Sequence, residues 1–339
     1  LTCYVTVSGM AAMTTVLNYL LLEKKIAGEV LVGRSCYFQN KGLLEKAFAG
    51  RLHFFNEFDR AGILQLISEK KPSAIFIDAL CNTEDVALPD LHRLIPEIAA
   101  GAPNDLFLIL DNTCLGPSYQ PLKDLPLYHP KLHLIVIESL NKYHQFGFDR
   151  VTAGLIWSPD WQTTGLHNLR LNVGTILNDS SVLSLPEPDR ELLNVRLRRL
   201  GRNAKILAEM LDAHLKNQKE SWLSEIVYPG LPNYPGYNWT RSLPFQGSFL
   251  AIKLKPFARR TPIFHRFINL VLEEAKKDNL QIVAGTSFGF NKTRVYITAL
   301  TAKIEIQPFI RISAGTETRI EIEKVGQALI RAISRLAII

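Results

Sequence analysis

Five apolar segments of strand length recur through the first half of the chain: EVLVGR (29–34), AIFID (74–78), LFLIL (106–110), LHLIVI (132–137) and TAGLIW (152–157). Unbroken apolar strands are buried on both faces. With helical spacing or loop residues between them they read as parallel strands covered by helices, an α/β architecture. Open sheets of this kind place their ligands outside the carboxyl ends of the strands. The polar residues that stop these runs are therefore the first candidates for chemistry: Asp111, Asn112 and Thr113 after LFLIL, and Ser139, Asn141 and Lys142 after LHLIVI.

The pattern changes at Pro188. The stretch DRELLNVRLRRLGRNAKILAEMLDAHL (189–215) has apolar residues at three- and four-residue spacing and reads as one helix of about seven turns. After it, GSFLAIKLK, a helical HRFINLVLEEAKK, VYITAL, FIRISAG and a last helix from about Glu317 follow in an order that suggests a smaller α+β domain. The expected organisation is a large α/β domain over 1–187, a linking helix over 188–221 and a C-terminal α+β domain over 222–339.

Composition removes several function classes. The 339 residues are 47% hydrophobic, enough for one large core or two unequal ones. Every apolar run is interrupted well short of the roughly 20 residues a membrane-spanning helix needs, so no membrane is expected as a partner. Lys and Arg outnumber Asp and Glu by 39 to 32, yet the densest cluster, VRLRRLGRNAK (195–205), shares its helix with core-spaced leucines. It reads as a solvated face, and no nucleic-acid partner is expected. Cys3, Cys36, Cys81 and Cys114 form no CxxC pair, which argues against a zinc site, supplies no disulfide framework and fits a reducing cytoplasm. No HxH or HExxH spacing occurs, so the histidines, His144 and His167 among them, read as packing or surface residues and no metal is expected. Trp157, Trp161, Trp222 and Trp239 read as core or interface aromatics. The chain opens at Leu1 and runs straight into TCYVTVSGM, as if in mid-domain; a preceding segment is expected.

Each candidate loop has two readings. SGMAAM (8–13) opens a helix that continues through VLNYLLLEKK. Its first N–H groups either cradle a phosphate or form an ordinary helix start with Ser8 as cap. Tyr37, after the strand EVLVGR, either stacks on a planar ring or simply packs. A carboxylate at Asp111 can keep a pyridine nitrogen protonated, and an amine at Lys142 can condense with an aldehyde; alternatively Asp111 caps a turn and Lys142 points to solvent.

Seven stretches in order tip the balance: SGMAA (8–12), DALCNT (78–83), DNT (111–113), SLNKY with FDRVTAG (139–154), RLGRNA (199–204), YPGLPNYP (228–235) and FIRISAGTE (309–317). Together they resemble the loops of the Cys/Met-metabolism family of pyridoxal-phosphate enzymes, which includes cystathionine synthases and lyases, methionine γ-lyases and homoserine sulfhydrylases. The resemblance covers nearly the whole chain and implies a fold-type-I enzyme dependent on pyridoxal 5'-phosphate. It implies that Lys142 carries the cofactor's aldehyde as a Schiff base, that Asp111 pairs with the ring nitrogen with Thr113 beside it, and that Tyr37 stacks on the ring and assists proton transfer. Gly9, Met10 and Ser139 would hold the phosphate, with Asn141 where the family usually has Thr, and Asn82 would lie near the phenolic oxygen. Arg311 would clamp the carboxylate of a small amino-acid substrate, with Ser287 beside it. The implied reaction is β- or γ-elimination, or γ-replacement, on cystathionine, methionine or an O-acylhomoserine, in a homodimer or homotetramer; transamination is the alternative on the same scaffold. Three departures keep a non-catalytic module open as well: HQFGF (144–148) replaces a Gly-Gly-His run, Lys292 stands where the family tends to have Glu, and the family's N-terminal Tyr-x-Arg arm has no counterpart here.

Overall fold

The structure, a computed structural model, describes residues 1–102, 105–125, 129–159, 165–218, 222–298 and 308–336; Trp161 and the end of VYITAL lie outside them. The chain divides into two compact units, Leu1–Asn82 with Ala87–Pro188, and Thr83–Val86 with the chain from Asp189 onward.

In the first unit, β1 (Thr2–Thr6), β2 (Val30–Gly33), β3 (Leu52–Phe55), β4 (Ala74–Asp78), β5 (Leu106–Asp111), β6 (Leu132–Ser139) and β7 (Gly154–Ser158) form one sheet in the order β1-β7-β6-β5-β4-β2-β3. Strands β3, β2, β4, β5 and β6 are mutually parallel. Helices α1 (Gly9–Asn18), α2 (Phe38–Ala47), α3 (Arg60–Lys70), α4 (Leu91–Gly101), α5 (Gly165–Asn172) and α6 (Asp179–Ser184) intervene or follow. Strands β2, β4, β5 and β6 are buried almost end to end, which is why their sequences are unbroken apolar runs. Val16, Leu20, Val32, Phe76, Ile109, Ile135 and Ile156 belong to one core.

The apolar run TAGLIW predicts another parallel strand, but β7 runs antiparallel to β6. A parallel neighbour needs a long crossover, usually helical; the connection from Ser139 to Gly154 is a run of turns and loop, so the strand returns beside its predecessor. Strand β1 is antiparallel to β7 in turn. The carboxyl end of β1, which leads into α1, thus lies on the same sheet edge as the carboxyl ends of β2, β4, β5 and β6. The helix opened by SGMAAM changes pitch at Tyr19–Glu23, a π-helical turn.

In the second unit, β8 (Leu223–Val227), β9 (Phe249–Leu254), β10 (Val283–Ala284), β11 (Arg294–Thr298) and β12 (Phe309–Ser313) form a sheet in the order β10-β11-β12-β9-β8. It is covered by α7 (Arg190–Asn217), α9 (Thr261–Lys277) and α10 (Arg319–Leu336), with a short α8 (Tyr237–Thr240) between β8 and β9. Helix α7 is part of this unit: Leu207 and Leu211 share a core with Ile252, Phe267, Ile310 and Leu329. Two arginines of its basic stretch are bonded within the unit, Arg196 to Asn291 Oδ1 and the Gly289 carbonyl (both 2.7 Å) and Arg199 to the Glu317 carbonyl (3.3 Å). No helix among the described residues is long and apolar enough to cross a membrane.

Candidate active site

The start of α1 is pressed against the ends of two strands. Ser8 caps the helix, its Oγ accepting the Ala11 N–H at 2.9 Å, while the Gly9 and Met10 N–H groups come first in the helix and have no partner within it. A Cβ at Gly9 would lie 2.9 Å from Ser139 Cβ, and one at Gly154 would lie 2.2 Å from the Ser8 carbonyl oxygen. Glycine at both positions permits the approach. The result is a helix N-terminus, with its positive dipole end, set beside the Ser139 hydroxyl, an arrangement suited to a phosphate dianion.

Two carboxylates stand side by side further along the same edge, Asp78 and Asp111 being register partners on β4 and β5. Asp111 Oδ1 accepts the Thr113 N–H at 3.0 Å and Oδ2 accepts Asn40 Nδ2 at 3.3 Å; Thr113 Oγ1 accepts the Ser139 N–H at 2.9 Å. Asp78 Oδ2 accepts the Tyr37 N–H at 2.9 Å. Desolvation pushes the Asp78 carboxyl well above the usual range, and Asp111 beside it adds to the effect. Desolvation also raises Asp111, against the Thr113 hydrogen bonds that favour its charge. Tyr37 is the N-cap position of α2; its ring packs edge-on to Phe38 at 5.0 Å and its hydroxyl donates to Gln39 Oε1 at 2.9 Å. Asn82 is partly buried in the loop after β4.

Lys142, half-buried, sits on the turn that leaves β6. Tyr143 anchors this turn by donating to the Cys114 carbonyl at 3.1 Å, and His144 Nε2 meets Glu138 Oε2 at 2.9 Å. The Gln145 side-chain oxygen accepts the N–H groups of Arg150 and Val151 at 2.9 and 3.1 Å. Phe146, Gly147 and Asp149 have φ of 52°, 84° and 49°. Two of these are left-handed without being glycine, so the surrounding bonds hold strained backbone in place. The Asn141 amide is used within the turn: it donates to Asp149 Oδ1 (2.9 Å) and the Val151 carbonyl (3.1 Å) and accepts the Ala153 N–H (3.0 Å). His167 lies on the exposed side of α5, its ring 5.8 Å from that of Tyr4.

In the second unit, Arg311 is 3% exposed within β12. Its Nη2 donates to the Ser287 carbonyl at 3.3 Å, and its guanidinium lies 5.8 Å from the Phe288 ring centroid. Ser287 has φ 71°, so the backbone that presents its carbonyl is itself left-handed. Lys292 is exposed.

A family model for Cys/Met metabolism PLP-dependent enzymes matches residues 1–324. The chain belongs to this family. Its cofactor is pyridoxal 5'-phosphate, and the chain has the family's fold-type-I architecture. A relative, bifunctional enzyme flvA of Aspergillus flavus, is 26% identical over 332 residues, 97% of this chain; the chain spans only 38% of that relative's length. The crystal structure of metB from Corynebacterium glutamicum matches with a TM-score of 0.77 at 20% identity, over 98% of this chain and 81% of that one. Cystathionine gamma synthase from Xanthomonas oryzae pv. oryzae, in complex with cystathionine, matches at 0.74 and 21% identity, over 98% and 81%. This member of the family offers groups that fit the cofactor: N–H groups and a hydroxyl at the glycine-lined helix start, a carboxylate at Asp111 and an amine at Lys142. Sequence reading named neither Asn40 nor Asp78 as a site residue. Asp78 was legible as a carboxylate ending a buried strand, but Asn40 has only its position, three residues after Tyr37 on one helix face.

Proposed function

We propose that this chain is a pyridoxal-phosphate enzyme of sulfur amino-acid metabolism that eliminates or replaces a leaving group at Cβ or Cγ of its substrate. The observation that carries the reading is a single sheet edge that gathers the α1 N-terminus, the Asp111 carboxylate and the Lys142 turn. Bound there, pyridoxal phosphate supplies an aldehyde and an electron-withdrawing ring.

In this reading the Gly9 and Met10 N–H groups and the Ser139 hydroxyl hold the phosphate, and Asn141 braces the turn that carries Lys142. Asp111, kept in place by Thr113 and Asn40, would hold a positive charge on the ring nitrogen, Tyr37 would cover the ring and Asn82 would lie by its phenolic oxygen. Lys142 Nζ would hold the aldehyde and, released when the substrate's amino group takes its place, would be the base positioned to take the substrate's α-proton. The Arg311 guanidinium, with Ser287 beside it, holds the substrate carboxylate. Cystathionine, methionine and O-acylhomoserines are the substrates this chemistry fits, and a homodimer or homotetramer in a reducing cytoplasm completes the reading.

The test is the near-visible spectrum of the protein with pyridoxal phosphate, beside Lys142→Ala. A band in the parent that is lost in the variant supports the reading, and an absent band in folded parent protein would overturn it. With the band established, consumption of cystathionine without an added keto acid supports elimination or replacement. Consumption only with a keto acid would replace that reaction by transamination.

A further inference from the structure

The buried carboxylate Asp78 has no part in the chemistry above, yet it accepts the N–H of the ring-covering residue and stands in register beside the carboxylate assigned to the ring nitrogen. We propose that Asp78 is an uncharged positioning residue: it fixes the Tyr37 backbone and, standing beside Asp111, leaves the pair's one negative charge on Asp111. This rests on the reading that Asp111 meets the ring nitrogen.

The geometry comes first. Asp78 is 6% exposed, and residues in register on neighbouring parallel strands point to the same face, so its carboxyl and that of Asp111 share one side of the sheet. Two carboxylates so placed do not both ionise readily, because like charge at short range disfavours the second. The neighbours decide which one keeps the proton. Asp111 takes two donors, the Thr113 N–H and Asn40 Nδ2. Asp78 takes one, the Tyr37 N–H, and Glu57 adds further negative charge nearby. Glu57 is itself buried, its Oε1 accepting the Ser35 N–H at 2.5 Å with the Cys81 sulfur 4.0 Å away. On the other side Glu138 faces Asp111 and raises it, but a cationic ring nitrogen at Asp111 reverses that balance in favour of its charge. The proton therefore resides on Asp78. A neutral carboxyl there still accepts the Tyr37 N–H, which sets where α2 begins and where the tyrosine ring stands.

The experiment titrates apoprotein with pyridoxal phosphate for the parent, Asp78→Asn and Asp78→Ala. It reads the dissociation constant, the visible circular dichroism of the bound cofactor and the pH midpoint of its absorption band. Asn is uncharged and keeps an acceptor for Tyr37, so the dissociation constant is expected within about threefold and the pH midpoint within about 0.3 units of the parent. Ala strands the buried N–H and is expected to weaken binding by about tenfold or more and to diminish the visible dichroism. Parent-like behaviour of Asp78→Ala would overturn the inference. So would an Asp78→Asn as weak as Ala, or one with a clearly shifted midpoint, since either result requires a charge at Asp78. If Asp78→Ala does not fold, Asp78→Asn decides by the same criteria. A parent protein that gives no band removes the cofactor reading itself, an outcome distinct from any difference between variants.

Discussion

Asp111 shows how little of a residue's role lies in its own chemistry. Its carboxylate is held by a backbone N–H from Thr113 and an amide from Asn40, so replacing it by Asn alters charge more than shape. Asn40 is buried and its Oδ1 has no partner, so a flipped Asn40 amide can still pair with an asparagine at 111. Asp111→Asn is therefore expected to bind the cofactor but to lose turnover by about 10² or more, because charge stabilisation at the ring is what it removes. Cofactor titration beside steady-state rates checks this; a variant with unimpaired turnover would take Asp111 out of the site. Asn141 illustrates the converse. Its sequence position suggested a phosphate contact, while its hydrogen bonds lie within the turn. Asn141→Ala is expected to cost about 1–3 kcal/mol of stability through its stranded backbone partners, read from the denaturant midpoint.

At the level of elements, two contacts are tight enough to test. The approach of α1 to β7 leaves no room for a side chain at Gly154, where a Cβ would meet the Ser8 backbone. Gly154→Ala is expected to destabilise by about 1–3 kcal/mol and to weaken phosphate binding, since the helix start must move away. Unchanged cofactor affinity in this variant would separate α1 from the phosphate. The second contact joins α9 to α10. Glu274, 2% exposed, is bonded to Lys277 (2.5 Å), Arg331 (2.8 Å) and Arg335 (2.8 Å). The Lys277 and Arg331 hydrogen bonds hold its carboxyl down to about 2. A carboxyl depressed in the folded state stabilises above its unfolded value, about 4.3, and that contribution is lost as pH falls towards 2. Glu274→Gln is expected to flatten the stability profile between these limits, measured by thermal melts at stepped pH.

At the scale of the whole molecule, each unit has its own core, and every residue assigned to the cofactor lies in the first. Pyridoxal phosphate at about 100 times its dissociation constant is expected to stabilise the protein by about 2.7 kcal/mol. Glu274→Gln, in the second unit, is expected to lower the melting temperature while leaving the dissociation constant within about twofold, since its bonding partners, Lys277, Arg331 and Arg335, are none of the residues assigned to the cofactor. A large loss of cofactor affinity in that variant would contradict this separation. The strands that build the sheet were legible because a strand buried on both faces must be apolar throughout, and the ligand edge followed from where those runs stop. The edge strands β3 and β1 were not, since both are only partly buried and their sequences carry no unbroken apolar run. Asp111, the last residue of β5, and Lys142, on the turn after β6, could be named from where the apolar runs stop and from motif order. The sequence alone thus determined the family, the buried strands and the residue types available for chemistry, because burial and local spacing are written along the chain. Only the tertiary structure decided the reversal of β7, the pairing of Asp78 with Asp111 and the use of Asn141 within its turn. Strand direction, register and hydrogen-bond partners depend on residues distant in sequence, and no local pattern records them.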